Sequence, residues 1–203
     1  MTRIGRVPPG RAGGVWLRRR IDVAVRGVEL LDRKRRVLQT ERDRLEREAA
    51  RTSAEWVRTS READRWVERA VLLGGDHAIR IASGPPAQIS VEWSRVIGVT
   101  YPAGVDFTSP DPGDRPFDGP AVAEAREHSR QALAVAAAHA AALAAVRLVD
   151  AELQSTTRRM RAISDRWIPA LEGELARLRL ELEEQEHADL VRRRWAADRS
   201  YSN

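Results

Sequence analysis

Residues 17–73, LRRRIDVAVRGVELLDRKRRVLQTERDRLEREAARTSAEWVRTSREADRWVERAVLL, carry one stripe at alternating steps of four and three. It runs Leu17, Ile21, Ala24, Val28, Leu31, Arg35, Leu38, Arg42, Leu45, Ala49, Thr52, Trp56, Thr59, Ala63, Trp66, Ala70 and Leu73, and all but Arg35, Arg42, Thr52 and Thr59 are apolar. Alternating steps of four and three average 3.5 residues per turn, the period that keeps one stripe against a partner as a helix supercoils. The stretch is therefore predicted to be a long coiled-coil helix, and at the helical rise it would extend roughly 85 Å.

A second stripe answers it in the C-terminal half: Val135, His139, Ala142, Val146, Val149, Leu153, Thr156, Met160, Ile163 and Trp167. The partner helix is available in the same chain. Past Trp167 the stripe changes phase to Leu171, Leu175, Leu178 and Leu182, with Pro169 where the change occurs. A proline inside a helix removes a backbone donor and crowds the preceding turn, so a kink or local loosening is predicted there. The fold class that follows is all-α, a long antiparallel two-helix coiled coil.

Composition agrees with paired helices and disfavours a large conventional core. Of 203 residues, 5% are aromatic and 32% charged. Cysteine is absent, which removes disulfides and thiolate metal sites. The N-terminus is polar and basic, without the apolar segment of a secretory signal. The longest apolar run, residues 132–146, is interrupted by His139 and shorter than the roughly 18 residues a membrane span requires. A soluble chain is the expectation. Lys34 is the only lysine, so the arginine-rich, alanine-rich usage reflects a high-GC coding bias as much as function. Net charge is +5, but its placement is uneven. Arg3, Arg6, Arg11, Arg18, Arg19 and Arg20 precede the first acid, Asp22, and Arg192, Arg193, Arg194 and Arg199 crowd the other terminus beside Trp195. Antiparallel pairing would bring both clusters to one tip.

Five segments are predicted. Residues 1–14, with Pro8, Pro9, Gly10, Gly13 and Gly14, form a flexible basic lead-in. Residues 15–73 are the first helix, stopped by Gly74 and Gly75. Within 74–119, Ile89, Val91 and Trp93 and then Ile97, Val99 and Tyr101 alternate with other residues, the pattern of a short β-hairpin. Prolines 102, 110, 112, 116 and 120 make a loop of the rest. Residues 120–197 are the second helix, opened by a proline in its first turn, and 198–203 are a tail. Trp56 and Trp66 are expected to face the alanine-rich stretch 134–145, or else to pack on the hairpin.

No catalytic constellation is evident. A phosphate-binding loop needs a lysine after a glycine-rich turn, whereas Lys34 sits inside the first helix, so nucleotide hydrolysis by this chain alone is not expected. Glu183 and His187 stand one turn apart on a helix and could share a metal, but exposed polar pairs on charged helices reach that spacing by accident. No cofactor or metal is assigned. His139 on the seam fits packing better than ligation. Arg35 and Arg42 on the seam must pair with acids or carry their heads to solvent, or else serve binding. The basic runs 18–20 and 33–36 are diluted by Asp22, Glu29, Asp32, Glu41 and Asp43, which disfavours a nucleic-acid arm.

Two segments resemble a known family. Trp16-Leu17-Arg18-Arg19-Arg20, Arg26-Gly27 and Leu30-Leu31-Asp32-Arg33-Lys34-Arg35-Arg36-Val37-Leu38 resemble the N-terminal helix of the D subunit of V-type and A-type rotary ATPases. The stretch 156–175, TTRRMRAISDRWIPALEGEL, is similar to that family's C-terminal element, through Thr157, Arg158, Arg159, Ala162, Ile163, Ile168, Pro169 and Leu171. Arg161 and Ser164-Asp165 depart from its usual residues. The resemblance implies a non-catalytic central rotor shaft, peripheral at the cytoplasmic face of a membrane, coupling ATP synthesis or hydrolysis to ion transport. It further implies paired termini inside a hexamer of nucleotide-binding A and B subunits, contacted through Arg11, Arg18, Arg19, Arg20, Arg192, Arg193, Arg194 and Trp195. The rotor's F subunit and a membrane-side socket protein are the other implied partners, with the hairpin toward the membrane ring. A free-standing coiled-coil scaffold is the competing expectation.

Overall fold

The computed structural model describes residues 5–82, 86–109 and 119–201. Its elements are α1 (Arg11–Ala82), β1 (Gln88–Val96), β2 (Val99–Thr108), α2 (Pro120–Ala162), a five-residue π-helical turn (Ile163–Trp167) and α3 (Ile168–Tyr201). The chain is a long helix pair with a two-stranded antiparallel hairpin inserted between the helices. It divides into a terminal unit, residues 1–35 with 155–203, and a central unit, residues 36–154.

In the terminal unit Leu17 is buried against Leu171 and Leu175, with Val7, Trp16, Ile21, Trp167 and Leu178 packed around them. Early residues therefore meet late ones, the antiparallel arrangement the two stripes require. The predicted lead-in is shorter and better held than the sequence suggests. Helix α1 begins at Arg11 after Gly10, whose φ of 69° only glycine adopts without strain, and Val7 belongs to the core. Gly13 is buried so closely that an added Cβ would collide with the carbonyl oxygen of Pro8 and lie 3.0 Å from Leu178.

The phase change at Pro169 takes a definite form. From Ile163 the stripe steps by four to Trp167, Leu171 and Leu175, which is one residue more than strict alternation allows. A π turn accommodates one extra residue, and here the Ile168 N–H bonds to the carbonyl of Ile163, five residues back. Proline at 169 has no N–H to close the α-helical bond to residue 165, so the wider turn loses nothing there. Both Leu171 and Leu175 are buried as a result.

The central unit has two cores. Leu38, Leu45, Ala145, Val149 and Leu153 enclose Tyr101, and Ala70 packs with Val122 and Ala125. Between them Trp56 stacks on His139, ring centroids 5.6 Å apart, and Trp66 stacks on His128 at 5.8 Å. Trp56 thus faces the alanine-rich stretch as expected, whereas Trp66 lies before it. The Thr52 hydroxyl is within hydrogen-bond distance of both the Glu48 carbonyl and His139 Nδ1, which fixes the histidine as a packed seam residue.

The glycine pair bends α1 instead of ending it. Gly75 leaves helical geometry with φ 72° and ψ 167°, yet the helix resumes to Ala82, and Ile79 packs beside Ala70 and Val122. The seam itself closes at Ala70, because Leu73 is 80% exposed. The hairpin also differs from expectation. Its second strand continues through Pro102 to Thr108, where the prolines predicted a loop. Glu92 pairs with Gly104 and Trp93 with Pro102, leaving Ala103 as the extra residue of a β-bulge. A bulge is where a strand tolerates a residue without a donor. The tight turn places Ile97 at φ 40° and Gly98 at φ 82°. Of the predicted loop, residues 110–118 fall outside the described residues, as do Arg3 and the side chain of Arg199.

Candidate functional site

Several arginines of the described chain are bound to acids on their own helix. Arg35 pairs with Asp32, Arg44 with Glu41, Arg51 with Glu48, Arg58 with Glu62, Arg130 with Glu127 and Arg192 with Asp189. Seam residue Arg42 binds Glu46 at 2.6 Å and reaches Asp150 of α2 at 3.5 Å, so its charge is held by both helices. Lys34 is likewise partnered. These pairs occupy the charge of the two seam arginines structurally.

Arg19 and Arg20 are not among these pairs. Neither has a carboxylate partner among the described residues; Arg20 lies over the Trp16 ring at 4.7 Å. Together they edge a groove of about 830 Å³ in the terminal unit. Helix α1 supplies Trp16, Val23, Ala24 and Gly27 to it, and the π turn supplies Ile163 and Trp167. Gly27 has nothing within 4 Å of where a Cβ would stand, so its missing side chain leaves that side open. Two indoles, an aliphatic floor and two unpaired guanidiniums make a surface for an apolar group attached to an anion. Neither the extra residue of the stripe nor Gly27 marks a groove in the sequence by itself.

The other residues singled out by resemblance are dispersed. Leu171 is core; Leu31 and Ile168 are half-buried; Arg26, Leu30, Arg158, Arg159, Ala162 and Pro169 are exposed. Arg11 binds Glu186 at 2.7 Å, which brings the start of α1 beside α3, while Arg18 donates to the Gly14 carbonyl. Arg193 and Arg194 are exposed and Trp195 is 72% exposed. Glu183 and His187 are also exposed. No group of three or more His, Asp or Glu among the described residues could hold a metal.

In the central unit the hairpin lies along the helices rather than standing free. Tyr101 is 4% exposed, and its hydroxyl donates to Glu41 Oε1 at 2.6 Å. Arg44 binds the same carboxylate at 2.7 Å. Chiefly through the Arg44 hydrogen bond, with a further contribution from Tyr101, the Glu41 carboxyl is held below its ordinary 4.5, against the opposing effect of burial. Ile89, Val91 and Trp93 of β1 line a cleft of about 310 Å³ together with Ala137, Ala140 and Ala144 of α2. Averaged over 18 residues, the helical run Pro120–Ala196 reaches a mean hydropathy of 1.9, enough by length and composition to cross a membrane. Treating His139 as a break hides this in the sequence. In the structure 17% of that apolar stretch is buried; Ala142 and Ala145 are buried in the helix pair, where alanine permits close approach.

Residues 15–198 match the family of ATP synthase D subunits. The chain is 33% identical over 197 residues to the V-type ATP synthase D subunit of Anaeromyxobacter sp. (strain Fw109-5), covering 92% of this chain and 91% of that one. It is 30% identical over 199 residues to the protein of the same name from Anaeromyxobacter dehalogenans (strain 2CP-C), covering 94% and 95%.

Proposed function

The chain belongs to the ATP synthase D-subunit family, and from that premise we propose that it is the non-catalytic central shaft of a bacterial V/A-type rotary ATPase or ATP synthase. The observation that carries this is the extent of the match, which spans both long helices and the hairpin together. A part that transmits torque must resist twisting and present unlike faces as it turns. Two paired helices of different composition, stapled across the seam by Arg42 with Asp150 and by the tryptophan–histidine stacks, meet both needs. A lysine confined to a helix interior supports a role without nucleotide chemistry of its own.

On this reading the basic termini sit within the ring of A and B subunits. The hairpin faces the rotor's F subunit and the membrane-side socket, and the complex is peripheral at the cytoplasmic face. Positive charge at Arg193 and Arg194 would complement acidic ring surfaces and weaken with salt, because exposed charges are screened within about 8 Å at physiological ionic strength.

Binding to the purified ring at two ionic strengths tests this. Removing residues 192–203 together with 1–6 is expected to weaken ring binding and flatten its salt dependence. Serine at Ile89 and Trp93, both exposed, is expected to spare it; deleting the hairpin instead would uncover Leu38 and Leu45. Loss of ring binding in the hairpin variant with retention in the truncated one would reverse the assigned orientation. A chain that binds no ring at all would favour the scaffold.

A further inference from the structure

We propose that the hairpin is a hinged strap: its tip stays clamped to the helix pair while its base half, residues 88–92 with 104–108, swings about the bulge at Ala103 and closes on the alanine face of α2. All of these parts lie in the central unit, and the inference does not rest on the shaft assignment.

The two halves of the hairpin are held differently. At the tip, Val96, Val99 and buried Tyr101 pack on the core of Leu38, Leu45, Ala145, Val149 and Leu153, and the Tyr101 hydroxyl donates to Glu41 at 2.6 Å. Toward the base, Ile89, Val91 and Trp93 are 56%, 42% and 63% exposed, although they line one cleft with Ala137, Ala140 and Ala144. Apolar groups that share a cleft of about 310 Å³ without covering one another gain by closing it, because less apolar surface is then left to water. Alanine's short side chain lets a strand approach the helix closely. Between the halves the ladder is weakest. Pro102 has no N–H to donate, Ala103 has no partner on β1, and the pairing shifts between Glu92 and Trp93. A ladder interrupted there can bend without disturbing the tip pairs of Ser94 with Tyr101 and Val96 with Val99. Closing covers Ile89 and Val91 and opening presents them, so the strap sets how much apolar surface this side of the chain offers.

Distances between paired spin labels on the full chain test this, since it has no cysteine of its own. Ser90, Arg95 and Arg147 are exposed. Ser90→Cys with Arg147→Cys reports the base, and Arg95→Cys with Arg147→Cys reports the tip. The base pair is expected to show two distances and the tip pair one. Sodium sulfate, which strengthens apolar burial, is expected to raise the shorter base distance at the expense of the longer. Ala140→Leu, at an exposed helix position that lines the cleft, is expected to lower the shorter population at least about threefold, and Ile89→Ser with Val91→Ser to do the same. Deleting Ala103 makes the ladder regular and is expected to leave a single base distance. An unchanged tip distance in each variant shows that the hairpin is still folded and docked. A single base distance as narrow as the tip distance in the parent chain would overturn the proposal. So would two base distances that ignore both Ala140→Leu and sulfate, or a tip distance as broad as the base, which would mean that the whole hairpin lifts off Glu41. Populations that change on dilution would overturn it as well, assigning the exposed face to a second copy.

Discussion

Gly13 and Tyr101 show how much single residues hold. At Gly13 the close approach of the Pro8 backbone leaves no room for a methyl group, and the obstacle is a carbonyl that cannot swing away. Gly13→Ala is expected to lower stability by about 1–3 kcal/mol, the usual cost of overpacking, despite alanine's better helix propensity. Thermal unfolding monitored by circular dichroism checks this; an unchanged midpoint would mean that residues 5–10 do not pack as described. At Tyr101 the issue is charge. Glu41 is depressed in the folded chain, so its contribution to stability is present above the ordinary 4.5 and is lost as pH falls through the folded value. Tyr101→Phe removes one of its two donors and is expected to cost about 1.5–3 kcal/mol near neutrality. The difference between variant and parent should shrink in denaturant titrations at about pH 3, where the unfolded carboxyl is already protonated. Glu48, lowered by Arg51, keeps its share of the acid sensitivity in both proteins.

The elements were legible from the sequence where periodicity alone decides them, and less so where one residue overrides it. Both helices, their antiparallel pairing and the start of the hairpin follow from stripes of period 3.5 and period two. Prolines and glycines misled for a physical reason: they signal a break in regular geometry without saying whether the chain turns away or absorbs it. Pro102 is absorbed by a bulge, Gly75 by a kink and Pro169 by a π turn. The last case is open to test. Pro169→Ala would restore a donor worth up to about 3 kcal/mol in a regular helix. Relaxing to that helix, however, would swing buried Leu171 and Leu175 off the seam, at about 2–5 kcal/mol each by analogy with truncation of core leucines. The π turn is therefore expected to persist in Pro169→Ala. Deleting Pro169 outright restores strict alternation from Trp167 to residue 182, and should give a regular α-helix with a higher melting temperature. Backbone carbon shifts at Ile163 and Ile168 distinguish the outcomes; a π turn surviving the deletion would mean that the extra residue is not its cause.

At the scale of the whole molecule, the family and its helix pair were legible because their motifs lie in contiguous sequence. The groove was not, since it needs Trp16 and Trp167 brought together from opposite ends of the chain, and no local pattern records that meeting. Nor was the docking of Tyr101 on Glu41, which joins residues 60 positions apart. What these parts do together is a question of motion. The chain has no cysteine, so Ser90→Cys on the exposed start of β1 gives a single attachment point for a bead or a gold rod. With the ring of nucleotide-binding subunits fixed to glass and ATP supplied, the proposed shaft is expected to turn the probe continuously in one direction. Cross-linking a second introduced cysteine near the termini to the ring is expected to stop both rotation and sustained ATP turnover. Full turnover with the chain locked to the ring, or a probe that never rotates while ATP is consumed, would contradict the assignment.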